Sequence, residues 1–150
     1  MPLRSWIEAH PAVAWLCRAA GFCIFAAAFF LPACDPGGRP LMGWFCASIT
    51  LTLLAGKDTY RSPAFLAGMS GLINPLIVTC LAFSFSRRFL RLRQVLGFLV
   101  LVCMAATWTL FSMEKIAPLI GHYLWIAGAL LILLPDCPGL SVRPRPAPAA

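Results

Sequence analysis

The chain has 150 residues, of which 61% are hydrophobic and 11% charged, and its net charge at pH 7 is +7. A soluble domain runs about 45–50% apolar and about 25% charged, so too few polar groups remain here to coat a water-facing surface. The balance excludes an ordinary soluble globule, a disordered chain and a collagen-like repeat, and the expected solvent is lipid. The pI near 9.4 would point to nucleic acid in a soluble protein. Here the basic residues sit between apolar runs, where they fix topology and meet anionic headgroups, and no nucleic-acid partner is expected.

The first apolar stretch covers residues 11–32 and is interrupted by Arg18, which lies near enough to an end to snorkel to the interface. Ala19, Cys23 and Ala27 fall four residues apart, a small-residue stripe suited to close helix contact in lipid. The helix is expected to end at Pro32, and the turn-rich run Asp35-Pro36-Gly37-Gly38-Arg39-Pro40 follows. The second stretch, 41–55, has fifteen residues. As a helix it reaches about 22 Å against a hydrocarbon core of roughly 30 Å, so a thin span, a re-entrant segment and an interfacial helix all remain open.

Lys57, Asp58, Tyr60 and Arg61 break the pattern before the third stretch, 63–85, which contains Asn74-Pro75. Proline removes a backbone donor and kinks a helix, so this kink is expected to face protein, with Asn74 capping the disrupted backbone. Residues 86–94 read SRRFLRLRQ. Helical spacing puts Arg87, Arg88 and Arg91 on one face and Phe85, Phe89 and Leu92 on another. With Arg93 they are expected to contact anionic lipid headgroups on the cytoplasmic surface. The fourth stretch is 95–113, the fifth is 116–135, and the tail 136–150 is proline-rich and expected to be disordered. The domain expected is thus a polytopic transmembrane unit over residues 1–135. The fold class expected is all-α, an integral membrane bundle of four or five hydrophobic segments.

With the second stretch not crossing, eight arginines fall inside and four basic residues outside; with five crossings the split is seven to five. The positive-inside rule favours four spans, and both arrangements put the 86–94 loop and the tail in the cytoplasm.

Leu31-Pro32-Ala33, Gly43-Trp44, Asn74-Pro75 and Gly121-His122-Tyr123-Leu124-Trp125 occur in that order. In this the chain resembles uncharacterised small bacterial polytopic membrane proteins that carry FLPA after the first helix, GW at the start of the second, NP in the third and a GYxLW-like motif opening the last. The resemblance covers roughly Phe25 to Leu134, and His122 departs from it by standing between Gly121 and Tyr123. It implies a bacterial inner-membrane protein and brings no activity with it. Trp44, Tyr123 and Trp125 suit the headgroup level as aromatic anchors. Leu31 to Cys34 also resembles a lipobox, without the short basic region that opens a signal peptide.

No catalytic constellation emerges. Glu8, Asp35, Asp58, Glu114 and Asp136 all lie at or beyond the edges of the apolar stretches, and no GxSxG or HExxH pattern occurs. His10 and His122 have no companion ligands, so no metal or cofactor is expected. The seven cysteines form no CxxC pair. Cys34 and Cys137 are expected at the aqueous edges and the other five within apolar runs. The expected role is a non-enzymatic membrane protein acting by packing with itself or a membrane partner protein. The alternative is a small oligomeric transporter or channel, for which Ser70, Asn74, Thr79, Thr107 and Thr109 are the mid-helix polar candidates.

Overall fold

The computed structural model describes residues 11–55 and 62–137. His10, the polar break at 57–61 and all but the first two residues of the proline-rich tail lie outside the described residues. In chain order the elements are α1 (Pro11–Ala28), β1 (Pro32–Asp35), β2 (Leu41–Met42), α2 (Gly43–Ala55), α3 (Ser62–Ala82), α4 (Leu90–Glu114), β3 (Ala117–Pro118) and α5 (Ile120–Leu133). The chain is mostly helical, in line with the all-α reading. The helices are apolar around their whole circumference, the pattern of a helix surrounded by protein or lipid on all sides. Two helices, Pro63–Phe85 and Leu90–Glu114, are long and apolar enough to cross a membrane.

Two helix pairs make the bundle. α3 and α4 are joined by two short turns, Phe83–Phe85 and Arg87–Phe89, and pack as a hairpin. Ile73, Ile77, Val100 and Cys103 are its buried seam, with Ile132 and Leu133 of α5 completing the core. α1 and α5 touch backbone to backbone: a Cβ on Gly128 would lie 2.6 Å from the Phe25 nitrogen, and one on Gly21 would lie 2.8 Å from the Gly128 oxygen. Small residues at such crossings admit the close van der Waals packing that drives helix association in lipid. The buried face of α1 is therefore Arg18, Gly21, Phe25 and Ala28, and the expected contact stripe Ala19, Cys23 and Ala27 faces outward. Pro75 is also exposed, against the expectation for the kink. The carbonyl it deprives of a donor is that of Gly71, which is buried against Thr50 of α2, so the helix continues through the proline.

At one end of the bundle the three strands form a small antiparallel sheet in the order β2-β1-β3. Strands of two to four residues are too short to display an alternating pattern, so the sheet was invisible in the sequence. It gathers the ends of α1 and α4 and the beginnings of α2 and α5. α1 stops at Ala28, four residues before Pro32, because residues 29–35 turn and pair as a strand.

At the opposite end one carboxylate holds two guanidinium groups. Arg18 Nη2 lies 3.0 Å and Arg93 Nη2 3.1 Å from Asp136 Oδ1, with side-chain exposures of 9%, 5% and 7%. Gln94 Nε2 donates to the Asp136 carbonyl at 3.1 Å. Two expectations are corrected here. Arg18 does not snorkel, and Arg93 turns into the bundle instead of toward headgroups. The reason is common to both: a buried guanidinium requires a counter-charge, and the residue that opens the polar tail supplies it. Arg88 and Arg91 are exposed.

Asp136→Ala leaves two buried guanidinium groups without a partner. Removing one member of a buried ion pair costs about 3–5 kcal/mol, and a loss of that size is expected in denaturant unfolding of the detergent-solubilised protein. A loss below about 1 kcal/mol, the range of an exposed pair, would contradict the buried network.

Candidate functional site

The sheet end is built by backbone groups finding each other. The Gly43 N–H donates to the Leu31 carbonyl at 3.0 Å and the Trp44 N–H to the Phe29 carbonyl at 2.9 Å, so the first donors of α2, which no helix can satisfy internally, are capped by the end of α1. The Leu119 N–H donates to the Ala33 carbonyl at 2.9 Å, which docks the entry to α5 on β1. A Cβ on Gly43 would lie 2.5 Å from the Ala28 oxygen, and one on Gly121 would lie 2.7 Å from the Pro32 oxygen. Both positions therefore require glycine. The turn between β1 and β2 is closed by Asp35 Oδ1, which accepts from the Gly38 and Arg39 N–H groups.

Below this knot lies a cavity of about 460 Å³, within the size range of small-molecule sites. All the described helices contribute to its wall, among them Ala28 of α1, Cys46 and Thr50 of α2, Ser70 and Asn74 of α3, Thr107 and Phe111 of α4, and His122 and Trp125 of α5; Cys34 of β1 joins them. The wall is mainly apolar, with a few polar groups that converge. Three of the five mid-helix polar candidates, Ser70, Asn74 and Thr107, line it. Thr79 and Thr109 lie outside it and donate to carbonyls of their own helices, at 2.7 and 3.0 Å.

Asn74 does not cap the helix at Pro75. Its Oδ1 accepts from Trp125 Nε1 at 3.0 Å, a bond between α3 and α5. Trp125 is accordingly a bundle residue and not a headgroup anchor, and its ring stacks on Phe25 with centroids 6.2 Å apart. Trp44 and Tyr123 are the exposed members of the aromatic set, at 54% and 50%. His122 is 5% exposed. Its ring is enclosed by Trp108, Phe111 and Trp125, with centroids at 5.5, 4.7 and 5.6 Å. Its Nε2 has no hydrogen-bond partner. The hydroxyl of Thr107 donates to the Cys103 carbonyl at 3.0 Å and that of Thr50 to the Ala47 carbonyl at 3.0 Å, leaving their oxygens as acceptors.

Cys34 is buried, and its Sγ lies 3.4 Å from Cys46 Sγ. Twelve residues separate the two in sequence, and no motif announces the pair. Among the described residues no group of three or more His, Cys, Asp or Glu side chains is placed to hold a metal ion.

Comparisons with known protein families, with curated proteins and with solved structures find no match to this chain. The reading of the site therefore rests on its geometry. The four sequence motifs meet in it: Pro32 receives Gly121, Gly43 seats on Ala28, and Asn74 bonds Trp125.

Trp125→Phe keeps the ring and removes the donor. Interhelical hydrogen bonds in membrane proteins average about 0.6 kcal/mol, with a maximum near 1.7. A loss of about 1 kcal/mol is expected in unfolding of the solubilised protein, with Asn74→Ala no worse when added to it. Fully additive losses in that double-mutant cycle would show that the two side chains act separately.

Proposed function

We propose that this chain is a non-enzymatic, multi-pass protein of the bacterial inner membrane that holds a small, mainly apolar molecule in the cavity beneath the sheet. The observation that carries this reading is the convergence of Ser70, Asn74, Thr107 and His122 on one apolar-walled space. A buried imidazole nitrogen without a partner leaves a polar group unsatisfied at a cost, and one hydrogen-bonding group on a bound molecule would relieve it. The molecule that fits has an apolar body and a single polar head.

The topology proposed is four crossings, by α1, α3, α4 and α5, with α2 entering and returning on one side. The support is connectivity. The sheet gathers the end of α4, and the α3–α4 hairpin brings the start of α3 to that same end. The start of α2 and the start of α3 thus lie at one face. The candidate spans Pro63–Phe85 and Leu90–Glu114 are each only 33% buried, and Leu16, Phe30 and Phe98 are 67%, 74% and 66% exposed on the outside of the bundle. An outer surface of that kind belongs in hydrocarbon. In this arrangement the end that carries the exposed Arg88 and Arg91 faces the cytoplasm next to anionic lipid, as the positive-inside rule favours. A second reading, packing against a second copy or a membrane partner, is favoured by the outward stripe Ala19, Cys23 and Ala27.

Two measurements test this. In intact spheroplasts a membrane-impermeant maleimide should label an Arg39→Cys thiol in the β1–β2 turn and spare Cys137 until lysis; labelling of both, or of Cys137 alone, would refute the four-crossing arrangement. For the cavity, organic extraction of the purified wild-type protein should release a small molecule near one-to-one, and Ser70→Phe, which fills the space, should abolish it. Equal recovery from both proteins, with the variant folded, would dismiss the cavity as the binding site.

A further inference from the structure

The pair Cys34 and Cys46 takes no part in the fold or the binding reading above. It consists of two free thiols in van der Waals contact, 3.4 Å apart, on different elements. Cys34 sits on the middle strand of the sheet, paired with Leu41 on one side and Pro118 on the other. Cys46 lies in the first turn of α2. Both sulfurs face the cavity wall. The other five cysteines have no thiol partner among the described residues; Cys80 and Cys103 are in the core, and Cys23 and Cys137 are exposed on the outside.

We propose that Cys34 and Cys46 are an oxidisable dithiol, which a low-molecular-weight disulfide entering the cavity converts to a disulfide that ties β1 to α2. The hydrogen bond with Cys46 lowers the pKa of Cys34, against the opposing effects of burial and of the Asp35 carboxylate. Thiolate is the attacking form in exchange, so Cys34 is the first nucleophile. Its sulfur bonds one sulfur of the small disulfide, and the other leaves as a thiolate that takes up a proton. Cys46 then loses its proton and attacks Cys34 Sγ. The mixed disulfide breaks, and the second small thiol departs. One dithiol and one small disulfide become one protein disulfide and two small thiols, with the oxidant reduced by two electrons. Burial of Cys34 keeps a folded protein oxidant away, whereas a 460 Å³ space admits a small one.

The consequence is mechanical. The ring closed by the bond contains the Asp35–Pro40 turn and β2. It fixes the strand that docks α5 to the helix that forms the opposite wall of the cavity. The proposal goes beyond the binding reading and rests on it only for the cavity as an approach route. On the four-crossing topology the pair lies at the external face, where disulfides form and persist.

The test uses the full chain, purified reduced in detergent, exposed to oxidised glutathione, quenched with N-ethylmaleimide and mapped by mass spectrometry without reduction. The expected product is a Cys34–Cys46 cross-link, reversed by dithiothreitol, with Cys80 and Cys103 unchanged. In Cys46→Ala, Cys34 should retain a glutathione adduct, the trapped first step. The cross-linked protein should melt roughly 5–10 °C above the reduced one, the range for a disulfide closing a short loop in a chain of this size. Wild-type protein in which both cysteines remain free, or in which glutathione sits only on Cys23 and Cys137, overturns the proposal. So does a cross-linked form that melts no higher than the reduced one. None of these readouts needs the cavity's occupant, so an empty cavity in the extraction experiment would leave the dithiol standing, and the converse holds.

Discussion

The bundle depends on one carboxylate. Asp136 holds Arg18 of α1 and Arg93 of α4 in a space that excludes water, and it does so from the turn that ends α5. Each of those charges alone would be costly to bury. Together they fix three elements at one point, and the strength of the arrangement is that no member can move without exposing another. Two cations on one anion leave an excess positive charge, and Nε and Nη1 of Arg93 remain without partners. That excess is best tolerated where the bundle meets anionic headgroups, at the same end as Arg88 and Arg91. The ion network is therefore consistent with the orientation proposed for the chain.

The opposite end is organised differently, by backbone. There four helix ends meet, and every N–H or C=O buried among them without a partner would be a liability. The solution is mutual capping: carbonyls from the end of α1 receive the first N–H groups of α2, and β1 is paired on both sides. Lys115 ends α4 in the left-handed conformation, and the Ile116 N–H returns to the Phe111 carbonyl at 3.0 Å, which satisfies an end carbonyl of the helix in the manner of a C-cap. Close backbone approach at Gly43 and Gly121 is a condition of this geometry, and these are the glycines of two of the four motifs.

Much of this was legible in the sequence. Apolar run lengths located the five helices of the described residues, because in lipid the length of an apolar run and the helix it forms are nearly the same quantity. The Asp35–Pro40 turn was legible because its residues bond locally. What was not legible is everything that depends on partners far apart in the chain. Arg18 and Asp136 are separated by 118 residues, and Asn74 and Trp125 by 51; no local pattern distinguishes a snorkelling arginine from a paired one, or an anchoring tryptophan from a donor. The burial of His122 was not legible for the same reason, since position in an apolar run gives depth along a helix but not the direction a side chain faces. Cys34 and Cys46 are close in sequence but meet only because β1 folds back beside α2.

In α2 fold and site come together. Its thirteen described residues include Ser48, Thr50 and Thr52. Each of these hydroxyls donates to a carbonyl of its own helix, at 2.8, 3.0 and 2.8 Å, which is how such residues are accommodated in an apolar environment. The polar content of α2 is therefore internally satisfied and explains no ligand by itself. Its contribution is geometric: Cys46, Ala47, Ile49, Thr50 and Leu53 form one wall of the cavity, with residues of α3, α4 and α5 on the others. Among the groups on these walls, the His122 Nε2 is the one left buried with no partner among the described residues. α2 closes one side of the room, and the imidazole gives that room its chemical preference.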